Sequence, residues 1–326
     1  MRKELCSVLA SPGIDGVLNI AKPAEWTSHD VVEKLRRTLG IRKVGHAGTL
    51  DPMATGVLPI LLGKGTRVSE YLVEWDKEYE AVLRLGQDTD TQDATGVVLQ
   101  ERSVAGITEE AIRAAAMKFS GSILQVPPMY SALKVGGRPL YKMARAGKTI
   151  ERTPRPITIH HIEILHVNIP DVTLRVACSK GTYVRTLCAD IGEALGVGGH
   201  LLQLCRTRVG PFSIEEAKPP LEINSEVLLQ DNGRFLWSLD AVLSHLPEVM
   251  IESEMVGRAL NGAPIPSSSV SGEINESCRA AAGEKIMRVK DPFGQLLGLG
   301  KFEKRGQVSS ELSQPLVLVK VFGQPI

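Results

Sequence analysis

The chain has 326 residues, 43% hydrophobic and 23% charged, with a formal net charge of +1 and a pI near 7.7. That length allows two domains of about 100–200 residues each, with the composition of an ordinary globular protein. The near-neutral sum excludes a protein that is basic all over, so any anion-binding surface must be local, acting within a Debye length of about 10 Å. Five dispersed cysteines (Cys6, Cys178, Cys188, Cys205, Cys278) form no Cys-x-x-Cys pair. They argue against a disulfide framework and against structural zinc. No apolar run reaches the roughly 18–20 residues of a membrane helix, and the N-terminus lacks a secretory pattern. A cytoplasmic location with no membrane association is the expectation.

Residues 1–15 read as a poorly ordered extension. Val17 to Ile20 predicts a short strand stopped by Lys22-Pro23. Thr27 or Ser28 can cap a helix with Val31, Val32, Leu35 and Leu39 on one face and Gly40 as its stop. Next comes Gly45-His46-Ala47-Gly48-Thr49-Leu50-Asp51-Pro52-Met53-Ala54-Thr55-Gly56-Val57-Leu58. Glycines permit turns and close approaches, while Pro52 pushes Asp51 toward an extended backbone. The stretch reads either as an ordinary Asp-Pro turn or as a loop presenting one carboxylate to a ligand, anchored by the apolar run Val57 to Leu62.

From Lys77 to Leu85 the residues alternate, with Tyr79, Ala81, Leu83 and Leu85 on one side of a strand. Residues 86–96 are acidic (Asp88, Asp90, Asp93) and read as a loop whose spacing does not fit an EF-hand. Thr108 caps a helix bearing Ile112, Ala115, Ala116 and Phe119, closed by Gly121. Between Lys134 and Arg155 there are seven basic residues (Lys134, Arg138, Lys142, Arg145, Lys148, Arg152, Arg155) against one acid, Glu151, with Tyr130 and Tyr141 nearby. These are residue types that neutralise phosphates and stack on bases, although a solubilising surface loop has the same composition.

Val172, Leu174, Val176 and Cys178 share a second strand face. If its extended backbone continues, Tyr183 and Arg185 point to one side. A helix with Leu187, Ile191 and Leu195 inward follows. Residues 200–212 carry Leu204, Arg206 and Arg208. The segment 213–247 is acidic and proline-punctuated, with a short helix from Asp240. Beyond it the pattern is β: Lys285 to Lys290, an Asp-Pro-Phe-Gly turn, Gln295 to Phe302 and Leu316 to Phe322, with 267–272 as a flexible loop.

The 45–58 stretch closely resembles the signature of the TruB family of RNA pseudouridine synthases, Gly-His-x-Gly-Thr-Leu-Asp-Pro-x-Ala-Thr-Gly-Val-Leu. Segments 16–23 (GVLNIAKP), 76–79 (DKEY), 127–134 (PPMYSALK) and 179–186 (SKGTYVRT) resemble the family in the same order. The resemblance covers about residues 15–215 well. It implies an α+β pseudouridine-synthase fold with a mixed, largely antiparallel sheet and flanking helices. The catalytic domain would span 16–246, with an RNA-gripping insertion at about 127–156, and 247–326 would be a small PUA-like β domain.

By the same resemblance the activity is uridine-to-pseudouridine isomerisation in the T-arm of tRNA, at the position usually called 55. No cofactor, metal or obligatory protein partner is expected. Asp51 would be the nucleophile, Arg185 would pair with it in a bidentate contact, and Tyr79 would stack on the base near C5. Tyr183 and Leu204 would line the uridine pocket, His46 would help hold the flipped nucleotide, and Lys22 would brace the loop. Lys134, Arg138, Lys142, Arg145, Lys148 and Arg206 would contact RNA. The sequence departs from the family at Cys205, where many members have an arginine, in its N-terminal extension, and in its near-neutral charge. The alternatives are a guide-RNA-dependent synthase and a tRNA-binding chaperone with a vestigial site. A two-carboxylate glycosidase fits poorly because no second acid stands out.

Overall fold

A computed structural model of the protein describes residues 14–131, 133–230, 235–272, 285–303 and 315–323. The chain divides into two compact units, one of Leu18–Ile60 with Ser69–Asn232, the other of Met1–Val17, Leu61–Val68 and Gly233–Ile326.

The first unit is built on strands β1 (Gly16–Lys22), β2 (Val44–His46) and β3 (Thr55–Leu62), with helix α1 (Ser28–Leu39) after β1 and the short α2 (Ser69–Leu72) before β4 (Lys77–Leu85). A hairpin of β5 (Gln87–Thr89) and β6 (Val98–Glu101) precedes α3 (Glu109–Met117) and β7 (Gly121–Gln125). The basic insertion holds β8 (Lys134–Val135), β9 (Arg138–Pro139) and α4 (Leu140–Arg145). The unit closes with β10 (Arg155–Asn168), β11 (Asp171–Cys178), α5 (Val184–Ala194), β12 (Gly199–Val209), β13 (Phe212–Ser213) and α6 (Ser225–Gln230). Its sheet runs β1-β3-β12-β4-β11-β10-β7, with β2 beside β3 and β13 beside β12. The β3–β12 pair is parallel, and the pairs from β12 through β7 are antiparallel, so the sheet is mixed and largely antiparallel.

Local chemistry explains these elements. Thr27, not Ser28, caps α1: it accepts from the Asp30 amide while Asp30 reaches back to the Thr27 amide, a capping box, and Gly40 ends the helix at φ 66°. Ser28 is buried and serves another purpose. The alternation in β4 and β11 places Tyr79, Ala81, Leu83 and Leu85, and Val172, Leu174, Val176 and Cys178, in one buried row. Each fully buried aliphatic side chain in such a row contributes about 1.5–3 kcal/mol. Lys77 joins that row. Its ammonium donates to the Val73 carbonyl (2.6 Å) and the Trp75 carbonyl, and burial pushes its pKa down to about 8.

The other unit contains β14 (Leu236–Trp237), α7 (Leu239–Val242), β15 (Glu248–Ile251), α8 (Ser253–Leu260), β16 (Val270–Gly272), β17 (Met287–Lys290), β18 (Leu296–Phe302) and β19 (Leu316–Val321). The last five strands form one sheet ordered β16-β15-β17-β18-β19 around Val249, Ile251, Leu260, Ile265, Val289, Phe302 and Leu316. The stretch 267–272, read as a flexible loop, is a 3₁₀ turn running into β16, because Ser271 and its neighbours pair with β15. Residues 1–13 of the extension, with Cys6 and Cys278, lie outside the described residues. Cys178, Cys188 and Cys205 are free thiols. Among the described residues no helix is long and apolar enough to cross a membrane, and no three His, Cys, Asp or Glu side chains group as metal ligands.

A close backbone approach in the first unit lies between β3 and β12. Gly56 has φ 107°, and a β-carbon there would stand 2.2 Å from the Arg206 carbonyl oxygen. Gly56→Ala is therefore expected to cost about 1–3 kcal/mol from backbone strain alone, with the clash adding to it. Urea denaturation of the full chain checks this; an unchanged midpoint would contradict the close packing.

Candidate active site

The loop 47–54 leaves β2 and enters β3 with few contacts of its own. The Asp51 carbonyl accepts from the Ala54 amide (3.1 Å), and the Pro59 carbonyl accepts from the Ala47 amide (3.0 Å). Three side chains from elsewhere hold the rest. The Ser28 hydroxyl accepts from the Leu50 amide (2.9 Å) and donates to its carbonyl (3.2 Å). Lys22 is 1% exposed and donates to the carbonyls of Pro23 (2.8 Å), Pro52 (3.1 Å) and Trp26. All three ammonium hydrogens are thus engaged, which fits bracing and leaves none for a substrate. Burial pulls Lys22 down to about 8, with Asp51 opposing that shift. Arg206 donates through Nε to the Val57 carbonyl (2.7 Å) and through Nη2 to the Gly48 carbonyl (3.1 Å).

The Asp51 carboxylate emerges half-buried from this frame, its Oδ2 2.6 Å from Arg185 Nη2. The other Arg185 nitrogen, Nη1, lies 3.3 Å from Oδ2 of Asp93. The guanidinium is therefore shared between two carboxylates instead of gripping Asp51 with both arms. Asp93, 3% exposed, is itself fixed: its Oδ1 accepts from the Thr91 hydroxyl (2.8 Å), the Thr95 amide (2.9 Å) and the Thr95 hydroxyl (2.6 Å). With both oxygens engaged it is no free general acid, and this second carboxylate does not revive a glycosidase reading. Loss of hydration raises the Asp51 pKa above the ordinary 3.8; Arg185 opposes this, and the Asp93 charge adds to it.

Arg185 does not sit on an extended continuation of β11. It is in the first turn of α5, and Tyr183 is that helix's N-cap. Gln125 fixes the turn, accepting from the Tyr183 amide (2.9 Å) and donating to its carbonyl (3.1 Å), while Thr186 donates to the Gln92 side chain (2.8 Å). Helix α5 and the Asp93 segment are thereby tied together.

Tyr79 lies opposite Arg206 in the β4–β12 register, 9% exposed, with its phenol beside the Arg206 guanidinium. Burial raises the phenol's pKa; Arg206 opposes the shift, and Cys178 and Asp51 add to it. Leu204 and Tyr183 are half-buried. His46 is pushed down by burial and the Arg206 cation, so it is neutral, and its Nδ1 is buried without a partner among the described residues.

The reading of Arg206 as an RNA contact is overturned. It is 1% exposed and its nitrogens serve the Val57 and Gly48 carbonyls, so no phosphate can reach it. Arg138, Lys142 and Lys148 are exposed on the insertion; the side chains of Lys134 and Arg145 lie outside the described residues. Asp93 escapes a reading of the sequence because an acidic, aperiodic segment gives no sign of which carboxylate turns inward.

Residues 36–184 match the TruB family pseudouridylate synthase N-terminal domain, and 185–245 match the tRNA pseudouridylate synthase B C-terminal domain. The fold and these family matches thus define an isomerase of the pseudouridine synthase class. Among curated proteins, the chain is 45% identical over 293 residues to tRNA pseudouridine synthase B of Burkholderia pseudomallei (strain 668), covering 90% of this chain and 95% of that one. It is 43% identical over 296 residues to tRNA pseudouridine synthase B of Aromatoleum aromaticum, covering 91% of each. Among solved structures it is similar to a chain of an H/ACA RNP bound to a substrate RNA containing 2′-deoxyuridine, at TM-score 0.69 and 28% identity over 95% of this chain and 86% of that one. A chain of a Cbf5-Nop10-Gar1 complex is equally similar, at TM-score 0.69 and 29% identity over 96% and 86%. The chain belongs to the TruB family.

The two aspartates should respond oppositely to neutralisation. Asp51 has a raised folded-state pKa, so the native state holds its proton more tightly than the unfolded chain does. That relationship removes stability as pH rises from 3.8 through the raised value, and at pH 7.5 the ionised group is a net cost. Asp51→Asn is expected to leave the melting temperature at pH 7.5 equal or higher. Asp93→Asn is expected to lower stability by about 1–3 kcal/mol, because it discharges the buried partner of Arg185 and mismatches a carboxylate's hydrogen bonds. Thermal and urea melts of both variants check the contrast; a destabilised Asp51→Asn would contradict it.

Proposed function

We propose that the protein converts uridine to pseudouridine in the T-arm of tRNA, at the position usually called 55, with Asp51 as nucleophile. The observation that carries this reading is the half-buried Asp51 carboxylate, braced through backbone carbonyls and held 2.6 Å from Arg185. The target nucleotide leaves its stack, at a cost of a few kcal/mol, and enters the pocket beside Tyr79, Tyr183 and Leu204. Neutral His46 helps hold it there, its free Nδ1 able to accept a hydrogen bond. Asp51 attacks ribose C1′ as the C1′–N1 bond breaks, and the uracil is retained. The base turns, C5 bonds to C1′ as the Asp51 oxygen departs, the C5 proton leaves toward Tyr79, and N1 gains a proton. No atom is gained overall and no electron is transferred, so the reaction calls for no cofactor.

The exposed cations Arg138, Lys142 and Lys148 grip the RNA backbone from the insertion. The five-stranded C-terminal sheet is read as a PUA-like RNA-binding unit. Solved relatives include a chain from a Cbf5-Nop10-Gar1 complex. The basic insertion and the short C-terminal unit favour the stand-alone form, in which tRNA is the partner and no other protein is obligatory.

Purified protein with unmodified tRNA transcript and no other component is expected to form pseudouridine by mass mapping. Asp51→Asn is expected to abolish the product while retaining tRNA binding. A wild-type protein that binds tRNA and forms none would leave only the chaperone reading. Because the ionised carboxylate is the active form, the rate is expected to fall as pH drops through an apparent value above 3.8. Replacing Arg138, Lys142 and Lys148 by Ala is expected to weaken binding and flatten the salt dependence, by about 0.9 in the log–log slope per lost phosphate contact. An unchanged slope would remove the insertion from the interface.

A further inference from the structure

Arg206 is a buried cation that donates to neutral carbonyls, those of Val57 and Gly48. Among the described residues no Asp or Glu forms an ion pair with it. A buried, unpaired charge is costly and normally finds a counter-ion. The polar group facing this guanidinium across the β4–β12 register is the buried Tyr79 phenol. A guanidinium can only donate, so in a hydrogen bond between the two the phenol oxygen accepts and the hydroxyl hydrogen points elsewhere.

We propose that Arg206 is a positioning residue for Tyr79: it fixes the phenol oxygen at the wall of the site and supplies the countercharge for the phenolate form. This rests on the reading of Tyr79 as the group that receives the C5 proton. A neutral phenol cannot accept a proton, so Tyr79 must first lose one. When the C1′–N1 bond breaks, the electron pair goes to the uracil; Tyr79 gives its hydroxyl proton to N1, and the resulting phenolate rests on Arg206. After C5 has bonded to C1′, that phenolate takes the C5 proton, and the C–H electron pair restores the C5–C6 double bond. The net transfer is one proton from C5 to N1, and the tyrosine ends as it began.

The surroundings set the demand on Arg206. Burial disfavours a negative charge on Tyr79, and the Asp51 carboxylate adds to that. Lys22, His46 and Lys77 lie near Arg206, and its cation depresses the pKa of each. They are held by backbone carbonyls or neutral, so the Arg206 cation is what makes the phenolate accessible.

The test is single-turnover pseudouridine formation on tRNA carrying uridine or 5-deuterouridine, in a cycle of Arg206→Met, Tyr79→Phe and the double variant. Arg206→Met is expected to slow the reaction about 100-fold or more, the scale of a lost acid–base function, with tRNA affinity retained. Its 5-deuterium isotope effect should exceed that of wild type, and Arg206→Lys should restore most of the rate. In the Tyr79→Phe background, Arg206→Met should cost about tenfold less than it does alone, the remainder being its contacts with the loop. Multiplicative losses, or a slow Arg206→Met with a wild-type isotope effect, would overturn the proposal and leave Arg206 a strut for the loop. If Arg206→Met does not fold, the uncharged Arg206→Gln takes its place in the same cycle: non-additive losses with a raised isotope effect support the proposal, and multiplicative losses overturn it. A wild-type protein forming no pseudouridine would overturn both this proposal and the function it rests on; active wild type with independent losses overturns this proposal alone.

Discussion

One guanidinium, shared between two carboxylates, sets the character of the site. Arg185 holds Asp51 on one side and the buried Asp93 on the other. Two acids this close repel each other in a place poor in water, and the cation between them offsets that repulsion. Because Asp93 is locked by Thr91 and Thr95, and helix α5 is locked to that segment through Thr186 and Gln92, the arginine has little freedom left. The Asp51 carboxylate, the proposed nucleophile, takes its direction from an arrangement anchored well away from its own loop. A nucleophile kept in one orientation needs no reorganisation as charge moves, which is where enzymes gain most over water.

The sheet makes this possible. Strands β3, β12 and β4 lie side by side, so the exit of the Asp51 loop, Arg206 and Tyr79 meet across adjacent ladders. Gly56 lets β3 press against the backbone at Arg206. Three buried cations, Lys22, Lys77 and Arg206, lie on these strands and β1, each satisfied chiefly by peptide oxygens. The result is an environment of fixed positive charge around a site proposed to handle anionic intermediates.

Much of this is legible in the residues. Period-two alternation marks β4 and β11, and the cap chemistry at Thr27 and Thr108 marks two helices, because those signals depend on neighbours in sequence. The loop bearing Asp51 stands out through its glycines and Pro52. Arg185 is picked out by resemblance, yet the sequence suggests an extended backbone there, because a short turn between Cys178 and Val184 gives no pattern of its own. Asp93 is hidden among three acids whose burial depends on a hairpin and a distant helix. Arg206 misleads because an arginine close to exposed Arg208 looks like surface; a register shift between them in β12 turns one inward and the other out. Where a residue's fate is decided across the sheet, its neighbours in sequence carry no trace of it.

Lys22, Ser28 and Arg206 reach the Asp51 loop almost wholly through its peptide groups, at Gly48, Leu50, Pro52 and Val57. The loop's form therefore does not reside in its own fourteen-residue signature. Transplanted by itself to another scaffold, that peptide would lose its shape; the smallest portable unit includes β1, the start of α1 and strand β12. The exposed side chain of Thr49 is correspondingly free to vary so far as the loop's outline is concerned, and any constraint on it must come from what docks above.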